Sequence, residues 1–419
     1  MKVLWVVNTL FPDLSKKLNG KLPTAGGWMY GLANDLVAHG ISLTVVTSRP
    51  KVKKYQGIIN NINYYLLSGS KDRAKYDSSL EPQWKKIVEE INPDVVHIHG
   101  TEYAQGLALI KVCPELKFVI SIQGLISVYS RYYYAGIAKE DLMKHITIRD
   151  FFKRDSVIRA QLKFEQKGRD VELAYLRNAK DVIGRTQWDF DHTKTINPNS
   201  TYHFCNESLR DPFYSSVKWN KNTKTDHTLF LSQAGYPLKG LHKVIEAVSI
   251  VKRKFPDIHI KVAGSNIINK TTLKERLRLG GYQSYLNSLL KQHGLKDHIT
   301  FTGPLSSEQM IQEYLNCHIF ICPSSIENSP NSLGEAQLLG VPCIASYVGG
   351  VPDMVVDGET GLLYRFEEVE MLAQAIIKIF DNPDMAQKLS SNAIQVATIR
   401  HERQTNVNRL LDIYNIIRK

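Results

Sequence analysis

The sequence predicts an α/β protein built from two doubly wound, Rossmann-like domains in tandem, and three observations predict it. Short apolar runs alternate with longer amphipathic stretches from the first residues onward. That rhythm breaks once, between residues 205 and 227, and then restarts. At 419 residues the chain exceeds what one small core organises, so two domains are expected.

In chain order, "KVLWVVN" reads as a first buried strand and "GGWMYGLANDLVAHG" as a glycine-led helix closed by Gly40. "ISLTVVTS" is the next strand, and "EPQWKKIVEEIN" a helix stopped by Pro93. The strands "DVVHIH" and "KFVISIQG" follow, then the helix "ELAYLRNA" and the strand "DVIGRT". Apolar strands separated by helical periods imply a parallel sheet covered on both faces. The stretch "CNESLRDPFYSSVKWNKNTKTDH" is polar and lacks periodicity, which suits a linker. The second half alternates the strands "TLFLSQAG", "IHIKVAG", "ITFTG", "HIFICPS" and "PCIASY" with helices, the one before the last strand spanning 332–340. The expected division is residues 1–215, then 216–400, with a helix in 401–419 packing back on the first domain. Ligands of such folds lie at the carboxyl ends of the strands, here in a cleft between the domains.

Composition narrows the class. Hydrophobic residues at 43% and charged residues at 22% are ordinary for a globular protein. No apolar run reaches the roughly 18 residues of a membrane span. The amino terminus lacks the long apolar stretch of a secretory signal, and the five scattered cysteines form no Cys-x-x-Cys pair, so a reduced, cytoplasmic enzyme is expected. The net charge of +12, from 53 Lys+Arg against 41 Asp+Glu, fits nucleic acid, an anionic membrane or an anionic substrate. No nucleic-acid-binding motif accompanies it.

The stretch "SSIENSPNSLGEAQLLGVPCIAS" sets Glu327 and Glu335 eight positions apart around a turn between apolar segments. Pro330 fixes that turn, and Asn331 or Ser332 is placed to cap the helix that follows. Free amides at the helix start, with the positive end of its dipole, make a phosphate site. Glu335 is then positioned to accept hydrogen bonds from a ribose diol, with Glu327 on the other side, where a sugar's hydroxyls would lie. The spacing fits a ligand of nucleoside, diphosphate and sugar, in that order. An ordinary first-turn glutamate favoured by the dipole is the plain alternative for Glu335.

Residues 229–365 resemble the donor domain of the retaining, family-4 type glycosyltransferases of the GT-B fold, the glycosyl transferases of group 1. The matching pieces are "PLKGLH", "HITFTG", "CPSSIENSPNSLGEAQLLGVPCIAS", "GGVPDMV" and "DGETGLLY", and more weakly "AGGWMYGLANDLVAHG" in the first half. The resemblance implies two domains facing across a cleft. It implies ribose binding by Glu335, contact of Glu327 with the donor hexose, and a diphosphate held by turn amides around Asn331, Ser332 and Leu333. Lys239 matches the lysine that neutralises the diphosphate. The donor would be a UDP- or GDP-sugar with no separate cofactor or metal, and the acceptor a glycan or lipid-linked hydroxyl. Gly26 and Gly27, opening a helix after a strand, suit close approach to a phosphate or acceptor. Gly349 and Gly350 suit a loop running near the donor sugar, with a plain turn as the alternative.

Two positions depart from the family pattern. Gln233 stands where an arginine usually accompanies the lysine, leaving Arg185 as a candidate substitute. Gln123 stands where a histidine usually ends a first-domain strand; an amide has no acid or base role, so a hydrogen bond to the sugar is what it offers. His97 and His99 alternate at a strand end and read as sheet-end polar residues, since no cluster of metal-ligating type accompanies them. Asp189 and Asp191, in "DFD", read as helix-start aspartates. The segment from Arg131 to Arg169 holds ten Lys+Arg against five Asp+Glu, with "RYYY" and "FFKR". It suits either an anionic membrane surface or a solvated helical insertion. The rival functions are a nucleotide-sugar epimerase, which shares the architecture, and a nicotinamide dehydrogenase, disfavoured because no Gly-x-Gly-x-x-Gly follows the first strand.

Overall fold

The structure, a computed structural model, describes residues 1–18, 20, 27–268 and 278–419. Gly26, expected to open the first long helix, lies outside the described residues. The chain divides into two compact units, one made of 1–128, 164–211 and 401–419, the other of 129–163 and 212–400.

The first unit carries the strands β1 (Lys2–Val6), β2 (Ser42–Pro50), β3 (Tyr55–Ile59), β4 (Ile62–Gly69), β5 (Val95–His99), β6 (Phe118–Ser121), β7 (Asp181–Gly184) and β8 (Thr201–Phe204). They form one sheet in the order β3-β4-β2-β1-β5-β6-β7-β8. Only the β3–β4 pair is antiparallel. That hairpin turns at Asn60 and Asn61, whose φ values of 50° and 61° suit the left-handed turns that twisted hairpins favour. Apolar alternation alone does not announce it. The strand order reverses between β1 and β5, which places a crevice at their carboxyl ends.

Apolar clusters cover both faces of this sheet. Leu4, Val46, Trp84, Ile98 and Tyr175 belong to one. Val3, Trp5, Leu36, Val45, Leu410 and Tyr414 belong to the other. The last helix, Arg403–Ile417, is therefore part of the first unit's core. Tyr414 sits at its centre: the hydroxyl accepts from Trp5 Nε1 at 2.8 Å and lies 2.6 Å from His97 Nδ1. A buried tyrosine tip needs such partners, and they fix how the helix lies on the sheet.

The second unit carries β9 (Thr228–Leu231), β10 (His259–Val262), β11 (Ile299–Phe301), β12 (Ile319–Cys322), β13 (Cys343–Ser346) and β14 (Leu362–Tyr364). Their order is β11-β10-β9-β12-β13-β14, all parallel, so the reversal falls between β9 and β12.

The expected boundary at residue 215 is corrected in one respect. Residues 129–163 pack with the second unit, not the first. Three hydrogen bonds bind the segment there: His242 Nε2 to the Ala135 carbonyl at 2.8 Å, Ser325 Oγ to the Tyr132 carbonyl at 3.1 Å, and Thr147 Oγ1 to the Leu279 carbonyl at 2.8 Å. Each joins residues more than a hundred positions apart, so no local period records it.

Candidate functional site

The second unit's reversal point brings together two loops that the sequence keeps far apart. One follows β9 and runs through Ser232 and Gln233 to Gly240; the other follows β12, from Pro323 to Pro330. Gly240, at φ +68°, begins the helix Leu241–Val251. A Cβ on it would stand 1.7 Å from the Pro323 carbonyl oxygen, so only glycine lets the loops meet. The Ser325 amide donates to the Leu238 carbonyl at 2.8 Å, closing the same contact.

Lys239 and Glu327 face each other across this junction, Nζ to Oε1 at 2.5 Å, with side chains 14% and 10% exposed. Ser324 Oγ donates to the same carboxylate oxygen at 2.7 Å, and Ser346 Oγ donates to the Ser324 carbonyl at 2.5 Å. Burial pulls the Lys239 ammonium down, but the Glu327 carboxylate outweighs it and raises the lysine above its ordinary value. The lysine is a fixed positive charge. From the other side, the Gly350 amide donates to the Glu327 carbonyl at 3.0 Å. A Cβ on Gly349, at φ +51°, would come within 1.9 Å of that carbonyl. The two glycines thus bring their loop against the Glu327 backbone.

The helix Asn331–Leu339 starts beside the pair. Pro330 is its N-cap, and no side chain caps it, which corrects the expectation that Asn331 or Ser332 would. The Leu333 and Gly334 amides both return to the Pro330 carbonyl, at 2.9 and 3.3 Å. Leu333 is fully buried and its amide is engaged, so it is a poorer phosphate donor than expected. Asn331 and Ser332 remain partly exposed at the positive end of the helix. Ser332 lines a small depression with Ser232, Gln233, Lys239, Ser324 and Glu327. Glu335 lies one turn further in, 4% exposed, and is not part of that lining. Gln233 therefore reaches the same depression as Lys239, but as a neutral amide.

Gln123 and Gly27 belong to the first unit. Gln123 Nε2 donates to Glu207 Oε1 at 3.1 Å, and the Gln123 backbone carbonyl accepts from Arg185 Nη2 at 3.3 Å. Arg185 and Glu207 form a buried ion pair through Nη1 and Oε1. Arg185 is thus paired with Glu207 in the first unit, whereas Gln233 belongs to the second. Gly27 opens the helix Gly27–Ala38 with the Arg210 side chain 3.3 Å from where a Cβ would be. His97 is bound to Ser121 Oγ and Tyr414 within the sheet, and His99 stacks on it at 3.8 Å. Asp189 completes a capping box with Thr186 at the start of the helix Gln187–Ile196. Among the described residues no group of three His, Cys, Asp or Glu is placed to hold a metal ion.

Residues 215–396 match the family model described as glycosyl transferases group 1, and residues 24–146 match one described as glycosyl transferase 4-like. A D-inositol 3-phosphate glycosyltransferase of Arthrobacter sp. (strain FB24) is 23% identical over 49% of this chain and 46% of the relative. An alpha-D-kanosaminyltransferase of Streptomyces kanamyceticus is 24% identical over 43% of each. The chain thus spans about half or less of the curated relatives it matches. Among solved structures, sucrose-phosphate synthase from Thermosynechococcus elongatus aligns with a TM-score of 0.70 and 16% identity, over 99% of this chain and 98% of that one. Anabaena Alr3699/HepE, solved in complex with UDP-glucose, aligns at 0.65 with 15% identity over 99% of both. These likenesses bear out the expected GT-B fold class.

Proposed function

Because the chain belongs to the group 1 glycosyltransferases of the family-4 type, we propose that it moves a sugar from a nucleotide diphosphate sugar to a hydroxyl acceptor, with retention of configuration. The observation that carries this reading is the buried Lys239–Glu327 pair beside the start of the helix Asn331–Leu339, at the reversal point of the second sheet.

In this reading Lys239 and the Ser332 amide receive the diphosphate, with Asn331 beside them. Their charge and dipole stabilise the negative charge that grows on the leaving diphosphate as the glycosidic bond breaks. Glu335 accepts hydrogen bonds from the ribose, and Glu327 holds the lysine in place while its remaining lone pairs meet a sugar hydroxyl. Gln123, anchored by Glu207 and Arg185, offers a hydrogen bond to the sugar and no proton transfer. With Gln233 in place of an arginine, Lys239 is the charged side chain that serves the diphosphate in this depression. Positioning and electrostatics supply the rate enhancement, without a metal.

The solved relative that holds UDP-glucose supports a nucleotide-sugar donor, a UDP- or GDP-sugar. The test is a thermal-shift panel of UDP, GDP and their sugars. A ligand at a hundred times its dissociation constant adds about 2.7 kcal/mol. Silence from every nucleotide would refute the donor site. Both matched models describe glycosyl transferases, which does not favour an epimerase; a labelled donor incubated without acceptor should yield no epimerised product.

A peripheral membrane location, with a glycan or lipid-linked acceptor at the cytoplasmic surface, is supported by one further observation. Ile148, Phe151 and Phe152 are 65%, 74% and 79% exposed, and Lys144, Lys153 and Arg154 are exposed around them. Apolar rings within a basic rim suit an anionic bilayer surface. No helix among the described residues is long and apolar enough to cross a membrane.

A further inference from the structure

The first unit's own reversal point holds a group of cations that the donor reading leaves unused. Arg49 is the penultimate residue of β2, Asn8 follows β1, and Gly100 to Tyr103 follow β5, so all lie at the carboxyl edge of the sheet beside the β1–β5 crevice. Arg49 Nη1 and Arg73 Nη2 converge on one neutral acceptor, the Asn8 carbonyl, at 3.1 and 3.4 Å. The Arg73 guanidinium lies 3.9 Å from the Tyr103 ring centre, and Lys167 Nζ lies 4.1 Å from it. Among the described residues none of the three cations has a carboxylate within ion-pair distance. Arg73 Nε is buried without a hydrogen-bond partner among them.

Such an arrangement is unfavourable when empty. Burial lowers Arg73 to about 10, with the neighbouring Arg49 adding to the effect. Burial likewise lowers Arg49 and Lys167; for the lysine the Glu102 carboxylate offsets part of that shift and Arg73 adds to it. The nearest acids offset the group only in part: Glu102, Asp72 and Glu172 favour the charged Lys167, and Glu172 is already engaged by the Ile126 and Ser127 amides. Glu102 accepts from Asn8 Nδ2 at 2.7 Å, and burial pushes its carboxyl up to about 7, so it carries only part of a charge at neutral pH. Asp77 is taken by the Ser70 and Ser79 amides, and Asp72 by the Ala74 amide and, at 3.9 Å, Lys75. The backbone beneath is rigid: Gln105 accepts from Ser48 Oγ at 2.5 Å and donates to the Val7 carbonyl at 2.8 Å. Two desolvated guanidinia on one neutral acceptor, with a lysine on the same aromatic ring, favour an anion that balances them.

We propose that Arg49, Arg73 and Lys167, grouped around Tyr103, bind an oxyanion carried by the acceptor. The two guanidinia offer paired N–H donors to it, and the lysine a point charge. The anion is a phosphate of a phosphorylated or lipid-phosphate acceptor, or the carboxylate of a uronic acid. That the anion belongs to an acceptor rests on the glycosyltransferase reading; that an anion binds there does not.

Calorimetric titration of the full chain with inorganic phosphate and, separately, with glucuronate tests it. Wild type, Arg73→Gln, Lys167→Gln and Lys239→Gln are compared, and UDP is titrated into each. Anion affinity should fall roughly tenfold or more in Arg73→Gln and in Lys167→Gln, while UDP affinity holds. Lys239→Gln should do the reverse. The stronger of the two anions identifies the acceptor chemistry. No anion binding by wild type, or binding weakened only by Lys239→Gln, would overturn the proposal. Failure of UDP to bind wild type would strike the donor reading and leave this one standing. If Arg73→Gln does not fold, Lys167→Gln alone decides.

Discussion

Lys239 Nζ stands 2.5 Å from the Glu327 carboxylate, although 88 positions separate the two residues in the chain. Both are nearly buried, so each charge depends on the other. Removing one partner strands the other in a poorly solvated place. Lys239→Ala should lower unfolding free energy by about 3 kcal/mol and abolish transfer. Lys239→Met combined with Glu327→Gln should regain most of that stability but none of the activity. Urea melts and donor turnover, measured on the same samples, separate the two effects. Recovery of activity in the double variant would remove the lysine from the chemistry.

Glu335 is buried one turn inside the helix whose start faces the pair. A charge-assisted hydrogen bond is worth roughly 1.5–3 kcal/mol, so Glu335→Ala should weaken nucleotide-sugar binding by about ten- to a hundredfold. Affinity for the free phosphate should not change. Undiminished donor affinity would cancel the ribose role.

Two glycines carry the loops that frame the site. A Cβ at Gly240 would meet the Pro323 carbonyl and one at Gly349 the Glu327 carbonyl, both well inside contact distance and both at positive φ. Gly240→Ala and Gly349→Ala should each destabilise by about 1–3 kcal/mol, read as a lowered Tm. Gly235, with nothing within 4 Å of a Cβ, should tolerate alanine and serves as the control.

Burial holds several histidines neutral. His99 and His318 are lowered to about 3 and His242 to about 4, and His97 lies well below its usual value. In the unfolded chain these groups take up protons near pH 6.5, so there the unfolded state binds more protons than the native one. Unfolding free energy should therefore fall as pH drops from about 6.5 toward 4. His242→Gln, whose amide can still donate to the Ala135 carbonyl, should flatten that slope by about one proton. An unaltered slope would show that His242 already titrates in the native state.

The exposed rings of Phe151 and Phe152 give a salt-dependent expectation. Sedimentation with vesicles containing anionic lipid should recover the protein at low ionic strength and lose it as salt rises. Phe151→Ser with Phe152→Ser should weaken binding at every salt concentration. Equal recovery on neutral vesicles would argue against the basic rim.

Local chemistry was readable from the chain: the strand–helix alternation, the Glu327–Glu335 spacing, and Lys239 before a glycine all lie within short windows. Periodicity and turn residues act over a few positions, so the sequence by itself determined two doubly wound units and the segments lining the second unit's site. Several features escaped it. The short strands β8 and β14, of four and three residues, carry too few alternating residues to stand out from their surroundings. The expected side-chain cap gave way to Pro330 because the helix begins at Asn331, which leaves at the cap a residue with no side-chain acceptor. Residues 129–163 went to the second unit through hydrogen bonds spanning more than a hundred positions. Arg49, Arg73, Tyr103 and Lys167 come from four separate segments, and only the folded sheet sets them around one ring. The sequence lists such charges; tertiary structure decides which of them lose water together, and that loss gives them a common purpose.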